Sequence, residues 1–163
     1  IVHRLDRETS GVMIFAKHKR HKEYLQEQFA NRSVHRIYHA LIEGRPEKNN
    51  GLIHEWLLED KFLRVKAVNK NHPSAKEAIT YWSVEDNDEF ASLLSLTIET
   101  GRRHQIRVGL ANLGHPVVGD KQHGAEGNPI GRIALHASSL ELLHPETDDP
   151  VRFEATIPFG PEN

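Results

Sequence analysis

The amino-acid sequence predicts an α+β domain: a mixed, mostly antiparallel sheet with flanking helices. Three observations lead there. Short apolar runs rich in β-branched residues recur along the chain, separated by polar turns such as NKNHPSAK. Helical spacing is confined to two segments, residues 17–32 and 102–113. The strand-like runs also follow one another without the strand–helix alternation of a parallel sheet, giving about eight strands and two helices.

Taken in order, residues 12–16 (VMIFA) are short, apolar and β-branched at one end, which predicts a buried strand. In 17–32, Tyr24, Leu25, Gln28 and Phe29 recur at helical spacing among charges, which predicts an amphipathic surface helix. RIYHALIE at 36–43 returns to strand character and is broken by Gly44-Arg45-Pro46. Residues 52–58, 63–68 and 78–84 are further strands, and 90–100 (FASLLSLTIET) is a long one stopped by Gly101. In 102–113, Ile106, Leu110 and Leu113 make one apolar face while Arg103 and Arg107 stack a turn apart on another. Gly114-His115-Pro116 ends that helix. Residues 133–143 and 151–157 are the last strands, turned by HPETDDP. With 163 residues and no internal repeat or linker, the chain is one domain on size.

Composition excludes several classes. There is no cysteine, hence no disulfide, thiolate metal site, iron–sulfur cluster or cysteine nucleophile. No apolar run approaches the roughly 18 residues of a membrane-spanning helix, so no membrane role is expected and a cytoplasmic location is. Net charge is −2, but it is uneven. Residues 1–40 hold eight Lys/Arg against four Asp/Glu, whereas residues 41–100 hold seven against eleven. One basic face on a neutral-to-acidic body fits that pattern, and so does a solvated helix carrying Lys17, Lys19, Arg20 and Lys22.

The 12 histidines raise a metal-dependent hydrolase as one alternative, through pairs such as His18/His21 or His35/His39. No HExxH occurs, and these pairs lie in a charged helix or along one strand, so no metal is expected. A nucleophile elbow and a phosphate-binding glycine loop are also missing. What remains is Asp6 held between Arg4 and Arg7, Tyr38 in RIYHA, and Arg107 in GRRHQIR. A carboxylate kept ionised by a guanidinium can serve as a nucleophile, and an aromatic ring beside it can stack on a base. As residue types alone these are weak evidence, since Asp–Arg pairs are mostly structural and a lone Tyr in a strand is mostly core.

At these residues the chain resembles the RluA-type pseudouridine synthase family. HRLDRETSGVMIFAK is similar to that family's catalytic motif, RIYHALIEG to its second, and TGRRHQIRVGLANLGHPVVGD to its third. ALHASSLELLHPET followed by VRFEATIP is similar to its closing strands. The matches are collinear from residue 1 to about 158. The resemblance implies the pseudouridine synthase fold and the isomerisation of uridine to pseudouridine in RNA, ribosomal ahead of transfer RNA, without metal or cofactor. It implies that Asp6 acts on the sugar, as nucleophile at C1′ or as base at C2′. Tyr38 would lie against the flipped base, and Arg107 would pair with Asp6. Arg4, Arg102, Arg103, His104 and Lys17 would contact RNA. The alternative of the same fold is a catalytically inactive RNA-binding or ribosome-assembly module.

Two positions depart from the resemblance: Gly109 stands where His is common, and His123 where Tyr is common. Members of that family also carry further strands before HRLD. Residues 1–163 are therefore expected to be a catalytic domain truncated before that motif, with a sheet edge and part of the core exposed. Low stability, or an oligomer covering the gap, is the expected consequence.

Overall fold

The computed structural model describes residues 1–161. In chain order it contains β1 (Ser10–Gly11), α1 (Lys19–Ala30), β2 (His35–Glu43), β3 (Asn50–Glu59), β4 (Val65–Ala67) and β5 (Lys76–Asn87). Then come β6 (Ala91–Ile98), α2 (Gln105–Asn112), a 3-10 turn at Lys121–His123, β7 (Leu135–Leu143) and β8 (Pro150–Glu154). The strands form one sheet in the order β1-β7-β2-β6-β5-β3-β4, with β8 on β7. Only β1 runs parallel to its neighbour. The predicted class is thus the observed one. No helix among the described residues is long and apolar enough to cross a membrane.

The expected strand at 12–16 is not formed. Only Ser10 and Gly11 join the sheet, opposite His136 and Ala137. Beyond them, Val12 N–H still donates to Ala137 O at 2.8 Å, but Ile14 N–H goes to a side chain, Nε2 of His3, at 3.0 Å. The segment is apolar because it packs on Val2, Leu25, Val34, Leu140 and Leu142, and packing without a ladder does not make a strand.

Burial follows strand position. Residues 38–42 of the central β2 are buried without interruption, as a strand covered on both faces requires, whereas β6 alternates buried and half-buried positions. One core joins Tyr38, Leu41 and Ile42 to Leu94, Leu96, Ile106 and Leu110. The fully buried Leu110 side chain contributes about 2 kcal/mol by area removed from water. α2 lies across the sheet through Val108, which packs with Leu57, Val65 and Ala78. Gly109 explains how close it comes, since a Cβ there would sit 3.0 Å from Glu55 Oε1 and 3.1 Å from Ile53 Cγ2.

The other helix, α1, packs on β7 through Leu25. Its Gln28 is buried because its amide takes both main-chain bonds of Leu143, donating to the carbonyl at 2.9 Å and accepting from the N–H at 2.7 Å. In β7 a bulge interrupts the register: Ile37 faces Ser139 and Tyr38 faces Ala137, so Ser138 is an extra residue. Such insertions re-aim neighbouring side chains, and this one lies beside Tyr38.

Gly11 joins the first motif to the sheet at φ +125°, and a Cβ there would lie 2.2 Å from Ala137 O. Gly11→Ala is therefore expected to lower stability by about 3 kcal/mol or more, through backbone strain and a clash with main chain that cannot move aside. Urea denaturation checks this: the midpoint should fall with the slope unchanged.

Candidate active site

The site is built at the start of α2. Thr100 and Gln105 fix that end: Thr100 Oγ1 donates to Gln105 Oε1 at 2.7 Å, and Gln105 Nε2 donates to Ile79 O and Thr80 Oγ1, each at 2.9 Å. Between them His104 is the N-cap residue, in the left-handed region at φ 52°. One turn on, Arg107 is 2% exposed and forms the centre of a charged cluster.

A buried guanidinium must be paired. The resemblance implied Asp6 as its partner, and the geometry assigns the main partner differently. Arg107 donates from Nε to Asp120 Oδ2 and from Nη2 to Asp120 Oδ1, both at 2.8 Å, a bidentate fork on a carboxylate with no exposure. Its Nη1 donates to His104 Nε2 at 3.0 Å and lies 3.8 Å from Asp6 Oδ2 and 4.0 Å from Glu8 Oε2. Asp6 is thus within the field of the guanidinium but beyond hydrogen-bond length. Burial opposes the charge on Arg107, and the bonds and charge of Asp120 overcome it, so its pKa stays above the ordinary value.

Asp6 is carried by a segment anchored both before and after it. Val2 and Leu5 turn into the two cores, the Asp6 carbonyl accepts from Thr9 N–H at 3.0 Å, and the Asp6 side chain is 16% exposed. Opposite it, Tyr38 rises from β2. Burial pushes its phenol above the ordinary value against the pull of Arg36, so it is protonated at neutral pH. Gly101 leaves room for Arg36, since a Cβ there would sit 3.1 Å from Arg36 Nη1.

Asp6, Tyr38 and Arg107 line one small pocket of about 60 Å³. It shares Arg4, Asp6, Gly101 and Arg102 with a groove of about 550 Å³, which Arg103 and Lys76 also line. Asp6 therefore stands where a small pocket meets a basic-rimmed groove. Arg102 is half committed, donating from Nε to Glu77 O at 2.9 Å. Nε of Arg103 and of Arg36 are buried without a partner among the described residues.

Two of the expected RNA contacts do not line the groove, though His104 lines the small pocket. His104 is 7% exposed and holds Arg107 and His123, because its left-handed backbone turns the ring inward. Lys17 is exposed and lines neither cavity. Residues that the motifs only hinted at are Asp120, whose partner had no signal in spacing, and Arg36, which stands two before Tyr38.

Residues 1–112 match the family described as RNA pseudouridylate synthase. The chain belongs to that family. It is 37% identical over 164 residues to an uncharacterized RNA pseudouridine synthase of Bacillus subtilis, YhcT, covering 99% of this chain and 54% of that protein. It is 34% identical over 164 residues to ribosomal large subunit pseudouridine synthase C of Yersinia pestis, covering 96% of this chain and 51% of that one. The chain thus spans about half the length of these two relatives. Among solved structures, human RNA pseudouridylate synthase domain containing 1 superposes with a TM-score of 0.85 at 27% identity, over 97% of this chain and 69% of that one. For this pseudouridylate synthase family member the RluA-type resemblance therefore holds, in sequence and in fold.

Two predictions follow from the site. Asp120→Ala takes from the buried Arg107 cation its bidentate carboxylate, at an expected cost of about 3–5 kcal/mol, and adding Arg107→Met recovers most of it. A double-mutant cycle of denaturation midpoints reads that coupling. His3, in the same motif as Asp6, stacks on Phe29 with centroids 4.7 Å apart, and burial, then the Arg36 charge, lower its pKa to about 4. The unfolded state takes up that proton near pH 6.5. Its contribution is therefore complete above pH 6.5 and is lost as pH falls toward 4. The Tm advantage of wild type over His3→Leu should narrow across that window.

Proposed function

We propose that the chain is the catalytic unit of an RNA pseudouridine synthase, an isomerase that converts uridine to pseudouridine. The observation that carries this reading is the meeting of Asp6, Tyr38 and Arg107 in one pocket beneath a groove lined by Arg4, Arg102 and Arg103. A target uracil is stacked within RNA, so it must be extruded into the pocket at a cost of a few kcal/mol. Arginines at the rim suit the phosphates on either side of the extruded nucleotide.

In the reaction the N1–C1′ bond breaks and a C5–C1′ bond forms. The C5 proton leaves to solvent and N1 takes one up, so uridine and product are isomers. Asp6 acts at the sugar, by attack on C1′ or by removal of the C2′ proton. Arg107 supplies a fixed positive charge 3.8 Å from that carboxylate. Tyr38 lies against the base; its protonated phenol makes it a packing and hydrogen-bonding group first, and proton removal at C5 would require it to ionise beside Arg36. Ribosomal RNA is the proposed substrate class ahead of transfer RNA, on the name of the Yersinia pestis relative.

The test uses the full-length protein and RNA from cells lacking its gene, with pseudouridine mapped by carbodiimide-stop sequencing. Wild type should restore at least one site. Asp6→Asn should lower the rate by about a thousandfold or more while RNA affinity stays within about twofold. Restoration by Asp6→Asn at the wild-type rate would remove Asp6 from the chemistry. RNA binding with no site restored by either form would turn the reading to the inactive RNA-binding module.

A further inference from the structure

We propose that His104 and His123 form a neutral two-imidazole relay that positions the Arg107 guanidinium at its distance from Asp6. This rests on the reading of Asp6 and Arg107 as the working pair.

The hydrogen bonds fix the protons. Arginine carries N–H donors and no acceptor, so in the 3.0 Å contact of Arg107 Nη1 with His104 the ring Nε2 accepts. A neutral His104 then carries its proton on Nδ1, the atom that lies 3.0 Å from His123 Nε2. His123 Nε2 must accept in turn, so His123 too carries its proton on Nδ1. The rings meet edge to face, with centroids 5.2 Å apart. A proton added anywhere breaks the chain. On His104 Nε2 it faces Arg107. On His123 Nε2 it faces the His104 Nδ1 proton, and shifting that proton to His104 Nε2 only moves the clash to Arg107.

The consequence falls on one nitrogen. Asp120 holds Nε and Nη2 of Arg107, so Nη1 is the free end of the fork, facing His104 at 3.0 Å, Asp6 at 3.8 Å and the more exposed Glu8 at 4.0 Å. While His104 accepts, Nη1 is held short of a hydrogen bond to Asp6, and the carboxylate keeps its lone pairs for the sugar. When His104 cannot accept, Nη1 closes on Asp6 and ties it up.

The surroundings favour the neutral pair. Facing His104 are Arg107, His123 and Arg103, with Asp6 opposing; facing His123 are Arg107 and, opposing, Asp120 and Asp6. Burial lowers both pKa values first, and the Arg107 charge adds to it in each. The left-handed backbone of His104, sparsely populated by residues other than glycine, is what turns its ring between the two partners.

The test combines a spectrum with kinetics on the full-length protein. Long-range proton–nitrogen spectra at pH 7.5 should show both rings as Nδ1–H tautomers, and lowering the pH should change both together. An Nε2–H tautomer on either ring, or His104 titrating by itself near 6.5, overturns the relay. These spectra need no activity, so they decide the proposal even if no pseudouridine forms. Tritium release from RNA labelled at uridine C5, under single turnover, then reads function. His123→Leu should lower the rate ten- to a hundredfold, the scale of an ångström-level misplacement, with RNA affinity unchanged. His123→Gln, whose Oε1 can accept from His104, should restore most of that rate. A Gln variant as slow as Leu overturns the proposal.

Discussion

A guanidinium with 2% exposure is the constraint on which the rest of the site depends. An unpaired charge in that position would cost several kcal/mol, so Arg107 stays buried only because Asp120 meets it with both oxygens. Asp120 in turn dictates its loop. Its N–H donates to Val117 O at 3.0 Å and its carbonyl accepts from Ala125 N–H at 3.0 Å. One residue earlier, Gly119 passes so close to Arg132 that a Cβ would lie 2.1 Å from that carbonyl. The same loop is stitched between β2 and the lead-in to β7, Val118 N–H donating to Leu41 O and Val118 O accepting from Ala134 N–H, each at 2.9 Å. The ion pair therefore fixes the placing of α2 relative to β2, the strand that carries Tyr38.

The third participant is tied in by a second chain of bonds. Arg132 Nη2 donates to Ser10 Oγ at 2.7 Å, so the Ser10 hydroxyl proton is free to go to His136 Nδ1, also 2.7 Å away. Ser10 lies in β1, four residues after Asp6, and Thr9 N–H closes the turn back onto the Asp6 carbonyl. Asp6, Tyr38 and Arg107 come from three separate stretches of sequence, yet each is fixed to the same short stretch of loop and strand between Val117 and Ala137. A site held this way needs no contact between the three to keep them in register.

That arrangement explains what was legible in the sequence and what was not. Short apolar runs and helical spacing identified most of the strands and both helices, because pattern records burial. Residues 12–16 show the limit: their apolarity reports packing on Leu140 and Leu142, and pattern cannot distinguish that from pairing. The motifs named Asp6, Tyr38 and Arg107, and the geometry brings all three to one pocket. They could not name the Arg107–Asp120 fork, because a bidentate pair 13 residues apart has no periodic signature. Nor could they separate His104 from its neighbours Arg102 and Arg103. All three look like polar residues at a helix start, and only the left-handed backbone at His104 turns one of them inward.

The net charge of −2 looks unhelpful for a protein proposed to hold RNA. Screening resolves this. At physiological salt, exposed charges act over about 8 Å, so a phosphate in the groove responds to the groove's walls and hardly to the far side of the sheet. Those walls carry Arg4, Lys76, Arg102 and Arg103 against Asp6, Glu59 and Asp60. Asp60 is already engaged, accepting from Arg64 Nε at 2.8 Å and from two turn N–H groups. Asp6 is set back toward the pocket beside Arg107. Of the acids, Asp60 is paired and Asp6 is recessed, which leaves the exposed Glu59 against the four cations. Under the proposed function, attraction of RNA belongs to this groove, and the acidic remainder limits binding of nucleic acid anywhere else.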